Sequence, residues 1–587
     1  MIDQINSIIE QFKNEITRFY PDDFGSTMLH LDADSQVGTT VKHRVASKFV
    51  NPINAVPDRA LKEACFSNWI SYDQGLKSDP REWKQKYILY KARERLHGWL
   101  GSFNLDLSNI EITPGETYLT AHGKTSIVEK LSSKKHWTIT IECVDDFARL
   151  CYNNLWLKRV ARSFFERRTH ESEARLFLKF SHLKDAGFQT FRYKLLTDVL
   201  TIVRGSRSST VPKNCTAVRF INVEPLCNVI LQRCLALGLR TVLEQLGNSL
   251  ESGQADHKVM IANSRYSTID FSNASDSVVN SLIPFFFPAK VSRKLAQYRS
   301  PMVLIDGDFH IPNKLSSMGN GFTFEVMTIL LLAIARTLDD TARVYGDDVI
   351  IHSLVAEQFV ASCNDICFRV NPRKTFIHSK FRESCGAFYH DDVGYITSFD
   401  FKWCVTESDC VISCNKLLAI ATENTNCHLK GMALKAYRSC LRVAGLSMYH
   451  GPNLVDQRER LGLDKFIFAQ PQTFERNVNK VLKRMEKRFH CKFFCVYTAT
   501  YHNDLVTPFT IDDIDLGTAA AFFYSGKPVM NKNRNKGRWV RSRLVVSESG
   551  TTFTWSACLN LINEYAPLPN RTPMRECDWT YRHYYMC

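Results

Sequence analysis

Between Val344 and Ile351 the chain reads VYGDDVII. Two adjacent aspartates, Asp347 and Asp348, follow a Tyr-Gly pair, and strand-forming residues stand on both sides. That pattern predicts two short strands joined by a tight turn with an acidic tip. A hairpin fixes its tip rigidly, and carboxylates crowded at one place repel unless a cation offsets them. The tip is therefore either a solvated surface turn or part of a metal site. A metal site needs a further carboxylate from a neighbouring strand.

The segment STIDFSNASDSVV, residues 267–279, supplies a candidate. It reads as a strand ending near Asp270, then a turn into a helix. MVLIDGDFHIP, residues 302–312, reads as a hairpin about Asp306-Gly307, and KLSSMGNGFTFEVMTILLLAIARTL as a glycine-containing loop before a long apolar helix. After the acidic hairpin, residues 355–377 read as helix, loop and strand. This order predicts an α+β fold, an antiparallel sheet backed by helices on one face. If the strand ending at Asp270 neighbours the hairpin, Asp270 and Asp347 point the same way from adjacent strands. Clustered carboxylates suit hard divalent cations, Mg²⁺ or Mn²⁺, and two such ions can activate an attacking hydroxyl and stabilise a leaving oxygen.

The partner implied by charge agrees. The 587 residues carry 75 Lys and Arg against 60 Asp and Glu, a net charge of +15 with pI near 9.0, which favours a polyanion. No run reaches the roughly 18 apolar residues of a membrane span, and the first residues lack the pattern of a signal peptide. A membrane is not expected as a partner. The 19 cysteines, with no export signal, are expected as reduced thiols. His490, Cys491 and Cys495 come nearest to a zinc pattern but lack a second half. The opening helix should bury Ile5, Ile8, Ile9, Phe12 and Ile16. Two basic stretches, residues 83–100 and 157–180, are read as helices with solvated faces, with RNA contact as the rival reading for at least one of them. His30 to Asp34 reads as loop, and His390-Asp391-Asp392 as a solvated turn.

Taken together, these motifs resemble those of RNA-directed RNA polymerases, most closely the replicase catalytic (beta) subunits of the positive-strand RNA bacteriophages, the leviviruses. The matching runs are VPKNCTAVRFINVEP (211–225), STIDFSNASDS (267–277), SSMGNGFTFE (316–325), VYGDD (344–348), NPRKTF (371–376) and FRESCGAFY (381–389). The resemblance implies a right-hand polymerase of fingers, palm and thumb. Residues 1–200 would hold an N-terminal region and part of the fingers, 201–257 the fingers with a basic nucleotide-binding motif, 258–400 the palm, and 401–587 the thumb and a C-terminal region. It implies templated synthesis of RNA from ribonucleoside triphosphates with two Mg²⁺ ions, Mn²⁺ being the alternative metal.

By motif, Asp270, Asp347 and Asp348 are the implied metal ligands, with Asp348 the weaker. Lys374 is the implied general acid at the leaving pyrophosphate. Lys213 and Arg219 would hold the triphosphate, although a basic residue expected between them is missing. Asp276 would accept from the ribose 2′-hydroxyl, its rival reading being a helix N-cap. Ser317 and Asn320 would support the incoming sugar, and Gly319 and Gly321 would let backbone approach RNA. Near the C-terminus, Arg538, Trp539 and Arg541 interleave charge with an aromatic face, a pattern suited to single-stranded RNA. The family further implies template RNA as partner, host translation elongation factors Tu and Ts with a ribosomal protein, and the cytoplasm of a bacterial host. Two rivals are a reverse transcriptase-like enzyme and a catalytically inactive RNA-binding replication protein.

Overall fold

The structure is a computed structural model that describes residues 2–21, 26–51, 58–113, 115–120, 130–131, 133–165, 179–180, 185–213, 217–405 and 407–444, together with the backbone of four strands at 448–449, 467–468, 493–502 and 538–547. The chain forms two compact units. One comprises residues 1–55, 395–503 and 534–587; the other comprises 56–394 and 504–533. Both draw on separated stretches, so neither follows a single consecutive segment.

The first unit is helical where its side chains are described. The helix Ile2–Phe19 buries Ile5, Ile9, Phe12 and Ile16 as their spacing predicts, whereas Ile8, expected with them, is only half-buried; the helix packs on Cys427–Ala444 and Glu407–Glu423. Asn6 ties it to the chain at Cys404 through two hydrogen bonds of 2.9 Å. The stretch His30–Asp34, expected as loop, starts a helix instead. The Asp32 carboxylate accepts from the Ser35 backbone N–H at 2.8 Å and caps Ala33–Lys48.

The second unit is built around the helix Thr323–Leu338. Its residues from Glu325 to Arg336 are all buried, and it packs against the helices Lys86–Leu100, Leu226–Gln245 and Ala356–Asp365. Such an all-round apolar helix belongs at the centre of a core. Two ionised residues enter it with partners. Glu325 meets Arg233 at 3.1 Å and Arg240 at 2.7 Å, and Arg336 donates to the Leu246 carbonyl at 2.7 Å. The helix Leu226–Gln245 is long and apolar enough to cross a membrane, yet about 72% of its apolar window is buried within the protein. The basic helix Lys86–Leu100 buries Ile88, Leu89, Ala92, Leu96 and Leu100 and leaves its other face to solvent, as amphipathic spacing predicts. Of the second basic stretch, Leu155–Ser163 is helical, and residues 166–178 lie outside the described residues.

On this core lie the sheets that matter here. In one, the strand Asp348–His352 runs between Tyr266–Ile269 and Arg343–Tyr345, antiparallel to both. A four-stranded sheet places Val218–Val223, Ser206–Pro212, Val303–Ile305 and Asp308–His310 side by side. Its Phe220 packs on Phe66 and Trp69 of the helix Asp58–Gln74. The three-stranded antiparallel sheet with helices packed against it is thus the α+β arrangement that the element order predicts.

Candidate active site

The site begins at the acidic hairpin. Gly346 has φ 64°, and a side chain there would meet the Phe324 ring at 2.3 Å, so the turn before Asp347 requires glycine. Its N–H donates to Thr328 Oγ1 at 3.0 Å, pinning the turn to the core helix. Across the sheet, Val349 pairs with Ile269 and Ile350 with Thr268. One step further, this register sets Asp348 opposite Asp270. The sequence reading paired Asp270 with Asp347 across the sheet. Asp347 instead sits in the turn itself, beside that pair.

Asp270 lies where the chain leaves one sheet for another, since Phe271 and Ser272 pair with Val370 and Arg369. The loop that follows Val370 clamps it. Asn371 donates its side-chain amide to Asp270 Oδ1 at 2.7 Å and its backbone N–H to the Asp270 carbonyl at 2.8 Å. Thr375 Oγ1 accepts from the Asp270 N–H at 3.2 Å. Lys374 Nζ stands 3.5 Å from Asp270 Oδ2 and 3.3 Å from Glu383 Oε1. Glu383 comes from the strand Phe381–Ser384, which reaches the same sheet through its N–H and Thr268 Oγ1 at 3.3 Å. The residues NPRKTF and FRE thus converge on Asp270 from the sides that the hairpin leaves open.

The charges in this cluster perturb one another. Burial raises the Asp270 carboxyl, Lys374 opposes that, and Asp347 adds to it. Burial, then Asp347, Asp270 and Glu383, push Asp348 up to about 7, with Lys374 pulling the other way. Burial draws the Lys374 ammonium down, but Glu383, Asp270 and Asp348 more than offset this and hold it above the ordinary lysine range. Lys374 is protonated at neutral pH.

Among the described residues, no three Asp, Glu, His or Cys side chains are already gathered closely enough to hold an ion. The donor chemistry nevertheless fits one: the carboxylates are hard oxygens, and burial with neighbouring carboxylates keeps Asp348 from ionising, a cost that a cation would offset. Mg²⁺ takes few protein ligands and fills its remaining positions with water and substrate phosphate.

The pH dependence follows from Asp348. Below about pH 4 its carboxyl is protonated whether the chain is folded or unfolded. Between there and about pH 7 the folded state keeps a proton that the unfolded chain has lost, so stability falls as pH rises. Asp348 keeps some solvent contact, so the loss should be on the order of 1–3 kcal/mol. Mg²⁺ or Mn²⁺ should therefore raise the melting temperature more at pH 8 than at pH 5.5, and Asp348→Asn should flatten the pH dependence without metal. Scanning fluorimetry across pH, with and without metal, reads this. An equal shift at both pH values would refute the electrostatic account.

Asp276 lies on a 3₁₀ turn, Ala274–Asp276, and no α-helix starts there. Neither the predicted helix nor the N-cap reading of Asp276 holds. Its Oδ1 accepts from Ser317 Oγ at 2.7 Å, Lys314 Nζ at 3.1 Å and Trp69 Nε1 at 3.2 Å. Ser317 is fully buried, and Asn320 Oδ1 accepts from the Phe322 N–H at 3.1 Å.

The two glycines of this loop approach protein. A Cβ on Gly319 would lie 2.2 Å from the Asn222 carbonyl oxygen, and one on Gly321 would meet the Gln232 Cβ at 2.9 Å. Packing within the chain accounts for glycine at both positions.

Lys213 and Arg219 are exposed at the hairpin of Ser206–Pro212 and Val218–Val223, closed by the Lys213 N–H on the Ala217 carbonyl at 3.0 Å. Arg538, Trp539 and Arg541 fall on the strand Arg538–Ser547, paired with Phe493–His502; their side chains lie outside the described residues, as do His490 and Cys491. The turn at His390-Asp391-Asp392 is more than solvated surface, because Asp391 pairs with the fully buried Arg382.

With this geometry in place, the comparisons with known proteins are specific. Residues 188–424 match the family RNA replicase, beta-chain. That segment is similar to RNA replicase beta-chains. The matched segment holds Asp270, Asp276, Asp347, Asp348 and Glu383, together with Lys374, Lys213 and Arg219. The chain is 32% identical over 232 residues to the RNA-directed RNA polymerase subunit beta of Qbeta virus (strain MX1), covering 37% of this chain and 39% of the relative. It is 33% identical over 201 residues to the RNA-directed RNA polymerase beta chain of Escherichia phage MS2, covering 33% and 37%. The match thus spans about two-fifths of the length of these relatives. Among solved structures, the RNA-dependent RNA polymerase of a human picorbirnavirus aligns with 14% identity and a TM-score of 0.30, covering 67% of this chain and 90% of that one.

Trp69, Asp73, Lys314, Asn371 and Glu383 are the site residues that sequence reasoning missed. Asn371 and Glu383 lay inside quoted motifs. Trp69 and Asp73 had no signal, because only the tertiary fold brings the helix Asp58–Gln74 to Asp276 and Lys314.

Proposed function

We propose that the chain is an RNA-directed RNA polymerase that joins ribonucleoside triphosphates on an RNA template with two divalent cations. The observation that carries this reading is the convergence of Asp270, Asp347, Asp348 and Lys374 at one sheet end, within the segment that matches the replicase family. In this reading the three-stranded sheet is the palm, and the sheet bearing Lys213 and Arg219 belongs to the fingers. Asp270, Asp347 and Asp348 would hold the cations, which supply charge neutralisation at the attacking hydroxyl and the leaving pyrophosphate. Asn371 and Thr375 hold Asp270 in place. Glu383 keeps Lys374 charged, ready to give a proton to the leaving oxygen. Lys213 and Arg219 meet the triphosphate through charge-assisted hydrogen bonds, and Asp276 accepts from the 2′-hydroxyl.

Incorporation of labelled nucleotide by the purified chain on a defined RNA with Mg²⁺, with and without host extract, tests this reading. Preference for deoxyribonucleotides, or no incorporation under either condition, would overturn it. The extract arm also tests the host factors that the family resemblance implies. Arg219→Ala should raise KM for ribonucleotides by about tenfold or more through loss of a charged phosphate contact, with RNA affinity nearly unchanged. An unchanged KM would remove Arg219 from the nucleotide site.

A further inference from the structure

The helix Asp58–Gln74 sends three side chains toward Asp276. Trp69 donates its indole N–H to Asp276 Oδ1 at 3.2 Å and lies 3.1 Å from Ser317 Oγ. Tyr72 shares a 2.7 Å hydrogen bond with Ser277. Asp73 accepts the backbone N–H groups of Asn313 at 3.0 Å and Lys314 at 3.3 Å. These bonds place Lys314, whose side chain is only 1% exposed, with its ammonium 3.1 Å from Asp276 Oδ1, 3.8 Å from Asp73 Oδ1 and 4.0 Å from the centre of the Trp69 ring. A buried ammonium is costly unless fixed anions surround it. Here two carboxylates and an aromatic face do so.

The donors share one target. Ser317, Lys314 and Trp69 all reach Oδ1 of Asp276. Among the described residues, no hydrogen bond reaches Oδ2, and the Asp276 side chain keeps 17% of its exposure. A carboxylate accepts at both oxygens. Three protein donors on one of them fix the rotamer and leave the other for a donor from outside.

Trp69 is itself fixed, since its ring stacks on Phe220 at 4.5 Å. Phe220 neighbours Arg219 on the strand Val218–Val223. The same indole therefore links the strand that carries a phosphate-binding candidate to the sugar-binding candidate.

We infer that Lys314 and Trp69 are positioning residues that aim the free oxygen of Asp276 at the 2′-hydroxyl of the incoming nucleotide and so set ribose selectivity. This rests on the polymerase reading above. Neither residue touches substrate; each acts through Asp276.

The test compares kcat/KM for a ribonucleotide and its 2′-deoxy analogue in the full chain. Trp69→Phe keeps a ring against Phe220 and removes the N–H, while Lys314→Met removes the charge. Each should lower the ribo-over-deoxy ratio by about tenfold, the scale of one hydrogen bond to a charged group, through KM for the ribonucleotide. Lys314→Arg should restore most of the ratio. A merely structural role would lower both substrates together and leave the ratio as in the unaltered chain; that result would overturn the inference. If Lys314→Met does not fold, Trp69→Phe decides. Asp276→Asn separates the two levels. If it lowers the ratio and the two positioning variants do not, the polymerase reading stands and this inference fails. If Asp276→Asn leaves the ratio intact, the sugar-reading role falls and the inference with it. If the unaltered chain incorporates neither substrate, the polymerase reading itself fails.

Discussion

Asp347→Asn is expected to lower ribonucleotide incorporation by on the order of 10³-fold, the scale of removing a principal transition-state charge partner, with RNA binding retained. The substitution keeps the size of the side chain and removes one negative charge at the hairpin tip. Its effect on the fold runs opposite to its effect on activity. Asp347 is the largest charged contributor to the raised carboxyl of Asp348 and also raises Asp270. Removing it relieves repulsion, so the metal-free variant should melt no lower than the unaltered chain at pH 8. It should also lose part of the stabilisation that Mg²⁺ confers. Loss of activity with unchanged or higher melting temperature separates a ligand from a folding residue. Retention of more than about a tenth of the activity would remove Asp347 from the chemistry, since a lost charge partner in a low-dielectric site costs at least that much.

The acidic hairpin, the strand before Asp270 and the long apolar helix were legible in the sequence because each is a local pattern. Strand formers around a Gly-Asp turn and an unbroken apolar run leave few alternatives. The ordered motifs then pointed to the charged cluster. What was not legible was register and distance along the chain. Whether Asp347 or Asp348 faces Asp270 depends on a one-residue step of strand pairing, which alternation alone does not set. The partners of Asp276 come from residues 69 and 314, some 207 and 38 positions away. The capping residue types in SNASDS suggest a helix start after Asn273, yet Asn273 adopts φ 53° and residues 274–276 make a single 3₁₀ turn. The residues 1–55 gave only an amphipathic stripe. Their grouping with 395–503 rests on contacts such as Asn6 with Cys404 that no periodicity encodes.

Gly319→Ala is expected to destabilise the fold by about 2–5 kcal/mol, summing backbone strain with overpacking against atoms that cannot yield. Gly319 has φ 103°, outside the range that L side chains adopt readily. Its Cβ would lie 2.2 Å from the carbonyl oxygen of Asn222 and 3.2 Å from the carbonyl carbon. Asn222 is held on both sides: it pairs with Ser208 in the four-stranded sheet, and its N–H donates to the Met318 carbonyl at 2.7 Å. Relief must therefore come from the 316–322 loop, which carries Ser317 and Asn320. The same substitution should weaken ribonucleotide binding, because Ser317 Oγ holds Asp276 at 2.7 Å. Two alanine variants supply the contrast. Gly307 has φ 102° with open space around it, so its variant reports strain alone, about 1 kcal/mol. Gly321 has no such φ, and a Cβ there would meet Gln232 Cβ at 2.9 Å and Arg233 Cδ at 3.2 Å, so its variant reports overpacking without backbone strain. Both should melt well above the Gly319 variant. If Gly319→Ala melts with them and binds nucleotide normally, the close packing against Asn222 does not set the loop. In that case the glycine at 319 has to be explained by what approaches the loop from outside, which is the RNA contact that the sequence alone suggested.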